Sequence, residues 1–224
     1  YVNYNGERLT FQTPVVNLPY GLSSFTNEES KDTKYDLTIS FGGMDENPKV
    51  KTLYNKMKEI ERCVIDKGVE KNSTWFTMKT KNDNPEIMKN LVEEMFTDIV
   101  RSYRDKTTKE ISDKYPPTMK FKLPYNAKTQ KFDITCHDMD TNEELDFNDI
   151  KHNLKGAKVQ LIGQLTGIWI SAGKFGCSLK VVMGKFRLSQ MKKLNFLPDS
   201  DIENDEEEED KDSTLEEEAV SLVK

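Results

Sequence analysis

Between Lys158 and Arg187 the chain reads KVQLIGQLTGIWISAGKFGCSLKVVMGKFR. Apolar and polar residues alternate there in two runs, Val159 to Ile170 and Phe175 to Leu188, and glycines interrupt them at Gly163, Gly167, Gly173, Gly176 and Gly184. A period of two specifies strands, and glycines inside such strands mark bulges and sharp bends, the corners that a small barrel needs. The same stretch is electrostatically one-sided. From His152 to Pro198 there is no Asp or Glu, whereas Lys155, Lys158, Lys174, Lys180, Lys185, Arg187, Lys192 and Lys193 are basic. Trp169 and Phe175 flank the turn between the two runs. A basic β-hairpin with aromatics at its turn suits the backbone and bases of a single nucleic-acid strand.

The formal charge of −6 divides unevenly. Residues 199–224 hold thirteen acids against Lys211 and Lys224, a charge of −11, which leaves +5 on the rest of the chain. A basic body followed by an acidic tail is therefore expected: a domain over residues 1–198 and a tail over 199–224. Apolar content collapses after Pro198, which predicts disorder there. No apolar run approaches the length that spans a membrane, and no signal-peptide pattern is present. The chain opens on Tyr1 and not on methionine, which fits a trimmed N-terminus and leaves open what precedes it.

Cys63, Cys136 and Cys177 are widely spaced and form neither a disulfide framework nor a zinc pattern, so the expected setting is intracellular and reduced. Cys136, His137 and Asp138 are adjacent. Neighbours on a strand face opposite sides, and no second cluster supplies further ligands or a base, so neither a metal nor a catalytic role is expected. The phosphate loop GxxxxGK[ST] and the motifs GxSxG and HExxH are all absent. No paired carboxylates or nucleophile–base set stand out, and no cofactor and no enzymatic activity are expected.

Elsewhere, Lys34 to Phe41 (KYDLTISF) alternates as a strand. Asn47-Pro48 and Asn84-Pro85 are helix starts, with Asn as cap and Pro in the first turn. The first helix is expected to run to Gly68 and the second through Ile99, Val100 and Tyr103, both with core-facing stripes. Trp75 to Thr80, Met119 to Leu123 and Lys131 to Cys136 read as strands, and Asp138 to Asn148 as an acidic loop. The expected fold is β-rich α+β, a single five-stranded OB barrel with inserted helices.

Three features carry a family resemblance: an early YDLTI strand followed by the Pro48 helix, a hairpin of KFKLP and KFDITCHD before a long loop, and the closing KGAKVQLIGQLTGIWISAGKFGCSLKVVMGKFRL with Trp169 just before a small-residue turn. In these the chain resembles the OB-fold single-stranded-DNA-binding proteins of nucleocytoplasmic large DNA viruses. More distantly it is similar to phage single-stranded-DNA-binding proteins with an acidic C-terminus. The resemblance covers roughly residues 33–224. It implies single-stranded DNA lying across the barrel face, with Trp169 as the aromatic before the turn and Lys174, Lys180 and Lys185 as basic strand positions. It further implies a tail that competes with DNA or recruits replication proteins, and a site of action in viral replication in host cytoplasm or nucleus, or in the virion. Phage relatives end in an aromatic residue; this chain ends Ser221-Leu222-Val223-Lys224, which departs from that pattern.

From the residues alone, alternation places Trp169 on the face opposite Ile168 and Ile170, so with the isoleucines inside the indole is outside. The candidate nucleic-acid-binding set is then Trp169, Phe175, Lys158, Lys174, Lys180, Lys185 and Arg187. A surface that mixes charge signs is the ordinary condition, and an acid-free run departs from it. Three readings stay open: a sequence-tolerant single-stranded-DNA-binding protein of replication, recombination or repair, a single-stranded-RNA-binding protein, and a virion structural or packaging protein that uses the barrel as an interaction module. DNA and RNA both offer phosphates and base faces, so the residues do not separate them.

Overall fold

A computed structural model of the chain describes residues 3–4, 6–76 and 84–189. The acidic tail of 199–224 and residues 77–80 of the strand expected over 75–80 lie outside the described residues. Trp75 itself ends a short helix, not a strand.

The strands that matter for function are β1 (Thr10–Gln12), β2 (Val16–Leu18), β3 (Leu22–Thr26), β4 (Thr33–Ser40), β5 (Phe96–Thr97), β6 (Val100–Arg101), β7 (Thr118–Leu123), β8 (Thr135–Asp138), β9 (Ala157–Ser171) and β10 (Lys174–Arg187). Five of them close a barrel in the order β9-β2-β4-β7-β10. The β9–β2, β2–β4, β4–β7 and β9–β10 contacts are antiparallel. Closure comes from one parallel contact, Lys122 on β7 against Lys180 on β10. Four antiparallel seams and one parallel seam in this order give the Greek-key barrel of an OB fold. The glycine-interrupted hairpin supplies two of the five staves. It runs as Ala157–Ser171 and Lys174–Arg187, with register shifts at Ile162/Gly163 and Leu165/Gly167, where the expected bends fall.

Alternation sorts the side chains. Leu37, Ile39, Met119, Phe121, Leu123, Val159, Leu161, Val181 and Phe186 point inward and are buried. One end of this core is closed by α4 (Phe147–Ile150), whose Phe147 packs on Phe132 at 4.8 Å between ring centres. Burying one such ring contributes roughly 1.5–3 kcal/mol.

Between β4 and β7 the chain leaves the barrel as α1 (Pro48–Glu70), α2 (Asn72–Trp75) and α3 (Pro85–Met95). Both long helices start as the Asn-Pro pairs predict. The Asn47 side chain accepts from the Lys49 N–H and the Asn84 side chain from the Glu86 N–H. Two expectations fail here. The first helix passes through Gly68 to Glu70, and Gly68 is a packing residue: a Cβ there would lie 3.0 Å from Val92 and 3.1 Å from Phe175. The second stops at Met95, eight residues short of Tyr103, because Phe96 turns into extended backbone and joins the sheet beside Phe175. Val64, Met88, Val92, Phe96 and Phe175 form a second, smaller core between the helices and the hairpin.

Candidate nucleic-acid interface

Around the turn end of the β9–β10 hairpin, at Ala172 and Gly173, Trp169, Gly176 and Ser178 share one face of the ladder, and the expected burial of both flanking isoleucines fails at Ile170, which is 46% exposed. Trp169 pairs with Gly176 across the ladder, and its indole lies directly over that glycine. A Cβ at Gly176 would sit 2.9 Å from the Trp169 ring and 3.0 Å from the Thr97 carbonyl oxygen. Only glycine leaves room for the ring at this position, and Trp169 is left partly buried.

The open side of Trp169 borders a cleft of about 270 Å³, lined by Asp98, Ile99, Arg101, Lys120, Lys122, Trp169, Cys177, Ser178 and Leu179. The two lysines follow from the pleat: on β7 they alternate with Met119, Phe121 and Leu123, which point into the core. Lys122 donates to Ser178 Oγ at 2.9 Å, and Lys120 donates to Asp36 Oδ2 at 3.0 Å. Lys180 stands level with Lys122 through the parallel seam, so it extends the same basic row. Arg101 is exposed on β6, beside Thr118.

The wall carrying Asp98 to Arg101 is tied down from behind. Glu61 on α1 is buried and accepts the Val100 N–H at 2.8 Å, while Lys58 pairs with its other oxygen at 2.7 Å. Burial pushes the Cys177 thiol up to about 12, with the Glu61 carboxylate adding to it. The cleft floor therefore holds no thiolate at neutral pH.

The seven residues expected from the sequence do not form one site. Trp169 and Lys180 belong to the cleft and its row. Phe175 is fully buried, in contact with Trp75, Phe76 and Phe96, and is corrected from a stacking residue to the centre of the second core. It fell in the inward register, a parity the sequence left undetermined beside a turn. Lys174 is exposed but donates to the Glu94 carbonyl at 2.7 Å, near the C-terminal end of α3. Lys158, Lys185 and Arg187 lie at the opposite, open end of the hairpin.

That open end is not acid-free. β8 pairs in parallel with β10, His137 beside Lys185 and Asp138 beside Phe186, and brings its following loop with it. Arg187 forks onto both carboxylate oxygens of Asp140, and Lys185 donates to Asn142 at 2.6 Å. The Arg187 guanidinium holds the Asp140 carboxyl below the usual carboxylate range. The expected one-sided charge of Lys158–Arg187 holds along the chain but fails in space at this end.

Sequence reasoning missed Arg101, Lys120 and Lys122. The lysines had a signal, since MKFKL alternates with its lysines on the polar face. Arg101 had none, because it lay within the expected helix. The adjacent Cys136 and His137 behave as strand alternation requires. Cys136 is buried, its thiol pushed up to about 12 by burial and then by the nearby Asp146 and Glu144 charges. Among the described residues no group of three or more His, Cys, Asp or Glu is arranged to hold a metal ion, and no helix is long and apolar enough to cross a membrane.

No family model and no curated protein matches the chain. Among solved structures it is similar to the single-stranded DNA-binding protein from bacteriophage Enc34 in complex with ssDNA, at 12% identity and TM-score 0.47 over 81% of this chain and 88% of that one. It is also similar to gp2.5, a single-stranded DNA binding protein encoded by bacteriophage T7, at 13% identity and TM-score 0.45 over 84% of this chain and 98% of that one.

Proposed function

We propose that this chain is a sequence-tolerant single-stranded-DNA-binding protein, a binding protein and not an enzyme, serving viral DNA replication, recombination or repair. The observation that carries the reading is the pairing of Trp169, braced on Gly176, with Arg101, Lys120 and Lys122 around one cleft on the outer barrel wall. A partly exposed ring held against a rigid strand is a stacking platform, and every base has a face to offer it. Lys122 and Arg101 beside it neutralise the phosphates that follow, while Lys120 already balances Asp36. The exposed faces of strands two and three, where OB barrels take oligonucleotides, are here those of β4 and β7. The acidic segment 199–224 supports a further part of the reading, a tail that recruits replication proteins.

Titration with single-stranded DNA, single-stranded RNA and duplex at two salt concentrations tests the proposal. The expected result is tightest binding to single-stranded DNA, with a log–log salt slope of about −0.7 for each phosphate neutralised. Equal affinity for duplex, or no salt effect, would contradict it. Tighter binding to RNA would move the assignment to a single-stranded-RNA-binding protein.

A further inference from the structure

The basic row does not end at β7. Lys180, Lys122, Asp36 and Ser23 stand level across β10, β7, β4 and β3. One step further along β4 and β3 comes the pair Lys34 and Phe25. Parity places all of these outside. Leu37, Phe121 and Leu123 on the alternate positions are buried, and Leu22 packs against the barrel core. Phe25 is 66% exposed, the most exposed large hydrophobic side chain among the described residues. Asp36 does not make the row acidic, because Lys120 pairs with it at 3.0 Å.

Phe25 also sits on a braced element. Next to it the Thr26 and Thr33 hydroxyls are hydrogen-bonded at 2.9 Å. The Asn27 side chain accepts the N–H groups of Glu29 and Ser30, and the Asn27 N–H bonds the Asp32 carbonyl at 3.0 Å. An aromatic held on an ordered hairpin loses little entropy on binding. The turn beyond it carries Glu28, Glu29 and Asp32 against Lys31. Those carboxylates repel phosphate, so a strand running along the row stops at Phe25.

We propose that Phe25 is a second base-stacking platform, the far end of a single-strand track that starts at Trp169. This rests on the single-strand-binding reading above. From the strand spacing and rise, the two rings stand roughly 25–30 Å apart along the outer wall. That span leaves room for several nucleotides, within the range of about 4–16 that one OB fold accommodates. The track runs from the hairpin turn across β10, β7 and β4 to β3, with Lys180, Lys122 and Lys34 beside it. Lys158, Lys185 and Arg187 lie off it.

The test uses the full chain, its Phe25→Ala, Phe25→Tyr and Trp169→Ala variants, and oligothymidylates of roughly 4 and roughly 16 nucleotides, the limits of that range. Phe25→Ala is expected to weaken binding of the long oligomer roughly tenfold, leave the short one bound as before, and keep the wild-type melting temperature. Phe25→Tyr restores long-oligomer affinity. If wild type binds and Trp169→Ala weakens both lengths, while Phe25→Ala matches wild type on the long oligomer, Phe25 is an ordinary exposed phenylalanine and only this inference falls. Equal loss on both lengths with a lowered melting temperature overturns it as well, since the residue would then be structural. Failure of the wild-type chain to bind either oligomer overturns this inference and the single-strand reading together.

Discussion

Trp169 and Gly176 act as one device. The glycine is there because the indole and the Thr97 carbonyl leave no room for a Cβ, and the indole sits over the strand because the glycine permits it. Since part of the ring stays open to the cleft, Trp169→Ala removes a stacking surface more than a core residue. Binding of single strands should weaken about tenfold, within the ~1–3 kcal/mol that stacking one base contributes, at an unchanged melting temperature. Titration and a thermal melt on the same sample check both halves. The cysteines give a second outcome at this scale. Cys63 is exposed, whereas burial raises the Cys136 and Cys177 thiols to about 12. A thiol reagent at pH 8 should modify one of the three rapidly in the native protein and all three after denaturation. Burial raises both folded values above that of a free thiol, about 9, so the fold favours the neutral thiols. That contribution is complete below about pH 9 and is lost as pH rises toward 12.

Helix α1 reaches the cleft through Glu61. Its carboxylate takes the Val100 N–H at 2.8 Å and the Lys58 ammonium at 2.7 Å, which joins the inserted helices to the wall that bears Arg101. Glu61→Ala leaves a buried backbone N–H without its acceptor, a loss of about 1–3 kcal/mol. Lys58→Ala leaves the buried Glu61 carboxylate without its counter-ion and should also destabilise, by up to about 3–5 kcal/mol. Denaturant midpoints of the two variants measure both losses. The helices thus do more than pack on the barrel. With β5 they build the second core around Phe175, and with Glu61 they set one wall of the cleft.

Across the whole molecule, basic residues collect at two ends of one hairpin and meet different surroundings. At the turn end Lys122 is held by a neutral hydroxyl and keeps its charge available. At the open end Arg187 already has a carboxylate partner. Lys122→Ala should therefore lower the magnitude of the salt slope for single-stranded DNA by about 0.7, one phosphate contact. Arg187→Ala should leave the slope unchanged, because its charge is spent on Asp140. Isotherms of the two variants over a salt series compare them directly, and equal losses would mean that both ends meet the strand.

The barrel was legible because a pattern of period two is local. Val159 to Ile170 and Phe175 to Leu188 alternate whatever surrounds them, and Asn47-Pro48 and Asn84-Pro85 start helices from their own side-chain and ring chemistry. The charge split between body and tail is likewise a property of the chain alone. Which basic residues act together is not local. The parallel seam that sets Lys122 beside Lys180, and the parallel strand that carries Asp140 to Arg187, join segments more than forty residues apart. Alternation near Gly173 determined that Trp169 and Phe175 take definite faces, but only the packed helices decided that the phenylalanine is the buried one. Met95 ends its helix for the same reason: the apolar stripe continues in sequence, and Phe96 is worth more in the sheet beside Phe175 than in another turn of helix.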